Sequence, residues 1–214
     1  MAFPVCKVHG HTPPDRASQF NTLNHMKPKL MTLISERRKV VAIHEAGHAL
    51  FDWLRGCYYE VEITLDGTQL SGLLTHRHYL LHKQDAVQSM ICTWGGIIAE
   101  ARYTGEDVWD VSYSGGKYDY ESILYLADKF FPEDNRAVDK SYVFSSKIVN
   151  RFWKRTQKIA ALLEVRDAID SEDVLHALGS YNYEFYQNRI LNPALKVMNA
   201  PTIEEEIRSH CRLT

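Results

Sequence analysis

Between Ser35 and Gly56 the apolar residues Val40, Val41, Ile43, Leu50, Phe51 and Leu54 recur at helical spacing. This stretch limits the fold more than any other, because it predicts one amphipathic helix over about residues 36–55 with an apolar face to bury. Ser35 reads as its N-cap and Gly56 as the residue that stops it. Between Val41 and Leu50, inside this apolar run, stand His44, Glu45 and His48.

The rest of the chain completes a mainly α fold with one small β element. Tyr59, Val61 and Ile63 alternate with Glu60, Glu62 and Thr64, and Asp66-Gly67 is a turn signal. A β-hairpin is predicted, with its second strand near Gln69–His78. Helices are predicted over about 84–103, 119–130 and 140–165, with a loop over 104–116 and a short helix capped by Ser171. Residues 1–34 hold Pro4, Pro13, Pro14 and Pro28 and few apolar side chains, and read as an irregular arm. The organisation expected is that arm, one domain over 35–180, and a helical extension over 181–214 packed on the same domain.

With 45% hydrophobic residues, 214 residues are enough to bury one sizeable core. Twenty-five basic residues against 27 acidic ones leave a formal charge of −2, so no global field is expected to recruit nucleic acid or anionic lipid. No apolar run is long enough to span a bilayer. Cys6, Cys57, Cys92 and Cys211 are scattered and form no CxxC pair, and the first residues lack the apolar run of a signal peptide. A cytoplasmic protein with reduced thiols is the expectation.

His44-Glu45-Ala46-Gly47-His48 is an HExxH motif on the predicted helix. Side chains at i and i+4 are about 40° apart around a helix of 3.6 residues per turn, so both imidazoles leave one face. That suits two corners of a zinc tetrahedron, with Zn–N distances of about 2.0–2.1 Å. Glu45 stands beside the first ligand, where it can accept a proton from a water activated by the metal. Gly47 bares the helix surface beside the pair, at a cost of roughly 1 kcal/mol against Ala in an exposed helix. It therefore implies a close neighbour there. A third protein ligand is expected for a catalytic zinc, and Glu100, Asp119, Glu121, His76, His78 and His82 all remain open on composition.

RRKVVAIHEAGHALFDWL, then Trp94-Gly95-Gly96-Ile97-Ile98-Ala99-Glu100, then Ser114-Gly115-Gly116-Lys117-Tyr118-Asp119, and finally RFWKRTQKIAALLEVRDAIDSEDV follow in order along the chain. Together these resemble the peptidase domain of FtsH-type ATP-dependent zinc proteases over about residues 36–178. The resemblance implies a zincin-like metallopeptidase domain with zinc on His44, His48 and Asp119, and Glu45 as general base. Gly115 and Gly116 then serve as a tight turn that returns Asp119 to the histidines. Tyr118 departs from the family, which usually has Asn there. Glu100 takes the role of orienting His44 or His48 by hydrogen bond.

No GxxxxGK[ST] occurs, so the family's nucleotide-driven motor is not represented here. The function expected is a stand-alone zinc metalloendopeptidase, independent of ATP, acting on unfolded or flexible polypeptides. The alternative is an interaction protein of the same fold that self-assembles as a homo-oligomer, modulates a protease ring, or cleaves one regulatory partner. The strand near Leu70–Thr75 is expected to receive substrate as an added antiparallel strand. His76 and His78 share a strand face and, with His82, are candidates for stabilising an oxyanion, as is one of Tyr113, Tyr118 and Tyr120. Cys6, His9 and His11, completed by His210 and Cys211, form a candidate structural zinc site.

Overall fold

The computed structural model describes residues 28–66, 69–76, 82–181 and 183–211. Helix α1 spans Pro28–Arg55. It starts eight residues ahead of the expected start at residue 36, so Ser35 lies inside it and is no cap, and residues 28–34 are not part of an irregular arm. Proline at a helix start loses no hydrogen bond, which lets Pro28 open the helix. Its far end behaves as expected. Gly56 adopts φ +69° and donates its N–H to the Trp53 carbonyl at 3.1 Å, a left-handed stop that a side chain would strain.

Strands β1 (Tyr59–Asp66) and β2 (Gln69–His76) pair antiparallel as the predicted hairpin. A third strand, β3 (Ala168–Asp170), pairs antiparallel with the other edge of β1, so the sheet order is β2-β1-β3. Three residues are too few to show a period-two pattern, and β3 is not legible in the sequence. Tyr59, Val61 and Ile63 turn into the core while Glu60, Glu62 and Thr64 stay in water.

Helix α2 (Lys83–Thr104) lies against α1 and is buried along most of its length. The neighbour implied by Gly47 is the backbone of α2. A Cβ on Gly47 would come within 2.2 Å of the Gly95 carbonyl oxygen, and one on Gly95 within 2.4 Å of the Gly47 oxygen. The two helices thus touch backbone to backbone, which no larger residue permits.

Residues 104–116 are not all loop. Helix α3 (Val108–Tyr113) is set by Asp107, whose carboxylate accepts from the Trp109 N–H at 2.8 Å. Helix α4 (Lys117–Phe130) follows, then the long α5 (Ala137–Val165), bent at Phe152. Arg38 of α1 ties the end of α5, donating to the carbonyls of Leu163 at 2.8 Å and Arg166 at 2.7 Å. Those carbonyls have no partner within the helix. Helix α6 (Ser171–Leu178) is capped by Asp170, which accepts from Glu172 and Asp173, so Ser171 is its first residue and not its cap.

The tail holds α7 (Tyr183–Tyr186), a π-helical turn Gln187–Leu191, α8 (Asn192–Met198) and α9 (Ile203–Cys211). Tyr186, Ile190, Leu191, Leu195 and Met198 join the same hydrophobic core as α1 and α2. No described helix is long and apolar enough to cross a membrane.

Candidate metal centre

His44 and His48 leave the same face of α1, each only 8% exposed. Asp119 reaches them from the first turn of α4, where a negative charge is favoured by the helix dipole. Its Oδ2 lies 2.8 Å from His44 Nε2 and 3.3 Å from His48 Nε2, and the two Nε2 atoms are 3.1 Å apart. These are the only three described residues of their type whose ligand atoms converge in a group able to hold a metal ion.

The second nitrogen of each ring decides what the converging atoms can do. His48 Nδ1 lies 3.0 Å from the Cys92 carbonyl oxygen, which can only accept, so Nδ1 carries the proton. His44 Nδ1 lies 2.6 Å from Glu100 Oε2 and donates to it. Each neutral ring then turns a lone pair, on Nε2, toward Asp119. Two lone pairs and a carboxylate oxygen meet, an arrangement that calls for a cation. Four-coordinate zinc at about 2.0–2.1 Å from each atom would hold them about 3.3–3.4 Å apart, close to the spacing found. The donor set is therefore one that could hold a metal ion.

Protonation shows the same demand for positive charge. Burial works against an imidazolium at His44, but the hydrogen bonds to Asp119 and Glu100 outweigh it and push its pKa well above the ordinary value. At His48 burial is likewise outweighed, by the charge of Asp119. Burial also opposes a charged Asp119, yet the two histidines hold its carboxyl far below the usual range. Glu45 goes the other way. Burial raises its pKa, and the neighbouring histidines only partly offset this.

Three glycines make room for these groups. A Cβ on Gly96 would fall 2.3 Å from His48 Nε2 and 2.7 Å from His44 Nε2. One on Gly72, in β2, would fall 2.4 Å from Glu45 Oε1. One on Gly115 would fall 2.7 Å from Glu100 Oε1. Residues 114–116 form the expected tight turn, with the Gly116 N–H donating to the Val111 carbonyl at 2.9 Å, but neither Gly115 nor Gly116 has a positive φ, so the turn does not use the left-handed conformation open to glycine. Their need is space, against Glu100 and Ile97. Gly72 and the Cys92 carbonyl were not singled out from sequence. A glycine inside an alternating strand is the signal that marks the first; a backbone carbonyl leaves none.

The other candidates fall elsewhere. Glu100 touches His44 on the nitrogen turned away from Asp119. Glu121 is exposed beside Lys117 at 3.8 Å. His82 caps α2 and lies 3.6 Å from Glu206 of α9. Tyr113 and Tyr118 are exposed, and Tyr120 packs against Trp94, Trp109 and Tyr113. Cys6, His9, His11 and His78, and the side chains of His76, His210 and Cys211, lie outside the described residues. Burial raises the pKa of Cys57 and Cys92, which keeps both as thiols; the Cys92 thiol donates to the His48 carbonyl at 3.6 Å and is not among the converging ligand atoms. Compared with models of protein families and with curated proteins, the chain matches none.

Proposed function

We propose that the protein is a zinc metallopeptidase of the zincin type that hydrolyses unfolded or flexible polypeptides. The observation that carries this is the meeting of His44 Nε2, His48 Nε2 and Asp119 Oδ2 beside the buried carboxylate of Glu45. The likeness of residues 36–178 to FtsH-type peptidase domains supports the same class.

Zinc held by His44, His48 and Asp119 supplies Lewis acidity, which acidifies water and polarises a carbonyl. Glu100 and the Cys92 carbonyl keep both Nε2 lone pairs pointed inward. Glu45 removes the proton of the attacking water and returns it to the leaving amine. Its raised pKa suits both halves of that task, because the base must also give the proton up. Asp119, the least buried of the three ligands, leaves an open side through which a peptide can enter. β2 is an edge strand of the described sheet and carries Gly72 against Glu45, which supports an extended peptide as the substrate form.

Metal analysis of the purified protein, with hydrolysis of unfolded casein in the presence and absence of a chelator, tests the proposal. About one zinc per chain and chelator-sensitive cleavage are expected. A metal-loaded protein that leaves casein intact would favour the interaction or single-partner alternative. A protein without affinity for zinc would overturn the assignment.

A further inference from the structure

Backbone pairing in the sheet determines which atoms of β2 are free. The Ile63 N–H donates to the Asp167 carbonyl at 2.7 Å, on the β3 side. N–H and C=O of one strand residue point the same way, and successive residues alternate. Ile63 and Val61 therefore bond toward β3, while Glu60, Glu62 and Thr64 bond toward β2. The register pairs these last with Thr75, Leu73 and Ser71. What remains for the open edge is the backbone of Leu70, Gly72 and Leu74. Gly72 is thus the residue that offers its N–H and C=O outward while its missing side chain faces Glu45.

A substrate strand added antiparallel to β2 pairs one residue with Gly72, on the face of the catalytic groups. Its neighbours must then point to the opposite, outer face, opposite Leu73 and Ser71, with Cβ atoms about 4.5–5.5 Å from theirs. Leu73 is 59% exposed there. Behind it, one strand further at about 4.8 Å, lies Glu62, its register partner on β1. Leu73, Thr75, Glu60, Glu62, Asp170 and Asp173 line a groove of about 260 Å³ across this face. Asp173 is paired with Arg166 and Asp170 caps α6. Glu60 accepts from the Tyr58 hydroxyl at 2.7 Å, and neither Glu60 nor Glu62 forms a salt bridge with another described residue.

We infer that the substrate side chain opposite Leu73 is Lys or Arg, its aliphatic stem lying on Leu73 and its charged head reaching Glu62 and Glu60. Long basic side chains cover apolar surface in this way while keeping their charge in water. The inference rests on the peptidase reading and adds the substrate class: flexible segments with a basic residue at one set place beside the scissile bond.

Cleavage of a random peptide library, read by mass spectrometry, gives one arm of the test. Lys and Arg should be enriched about tenfold over Asp and Glu at a single position, and Glu62→Lys should reverse that preference with zinc content unchanged. The second arm measures binding of fluorescent Lys-containing and Glu-containing peptides to Glu45→Gln protein, which needs no turnover. Cleavage without a basic preference, or a preference that Glu62→Lys leaves alone, overturns the inference and spares the peptidase reading. Tight binding of the Lys peptide, lost in a Glu62→Lys, Glu45→Gln double variant, with no library peptide cut, retains the acidic docking face and refutes the peptidase reading.

Discussion

His44 and His48 stand in a wall made of two helices, whereas Asp119 approaches them from a helix start and Gly72 meets Glu45 from a sheet edge. The helical wall has little freedom. α1 and α2 meet at the backbones of Gly47 and Gly95, and α2 supplies the partner of each histidine's second nitrogen. The facing side is looser. The Asp119 side chain is 29% exposed against 10% for each histidine, and β2 has an unpaired edge in the described sheet. Rigid packing serves the atoms that must converge within a few tenths of an ångström, and the open side serves a ligand that must enter and leave.

The largest effect is expected at Gly47. Gly47→Ala puts a Cβ against backbone that cannot swing away, and should cost about 3 kcal/mol or more in urea unfolding while lowering zinc content. An unchanged midpoint would show that the helical wall yields. His44→Ala and His48→Ala should each lose zinc and the stability that bound metal adds; full occupancy in either removes it from the ligand set.

Glu45→Gln should keep zinc and stability but lower turnover by roughly 10²–10⁴, and a parental rate on casein would exclude it as the base. Zinc affinity of Asp119→Asn and Glu100→Gln, measured side by side, separates a ligand from a supporting group. Glu100→Gln should weaken binding about 10–100-fold and Asp119→Asn more; the reverse order would transfer the third ligand to Glu100.

The smallest effect is expected at Gly72. Its Cβ would meet the Glu45 side chain, from Cγ to Oε1, and not backbone, so one side chain must shift to make room. Gly72→Ala should retain zinc and lose roughly tenfold in turnover, within the range of a slightly misplaced catalytic group. Loss of zinc in this variant would mean that the two sides are not independent.

What could be read from the chain was local. His44, Glu45 and His48 lie within five consecutive residues on a helix whose period is written in Val40, Val41, Leu50 and Leu54, and the hairpin is written in its alternation. The start of α1, the helix α3 and the strand β3 escaped, because a tolerated proline, a single aspartate cap and a three-residue pairing leave weak local signals.

The third member of the site is a matter of folding. Asp119 is 75 residues from His44, and His76, His82, Glu100 and Glu121 were chemically as eligible. Composition ranks none of them, since ligand atoms are selected by position, and position follows from how α4 packs on α2. The same holds for the Cys92 carbonyl and for the open edge at Gly72. Their roles come from direction in space, and only the assembled backbone gives a peptide group its direction. A helical period, by contrast, is set by neighbours in the chain, and so it can be read before anything folds.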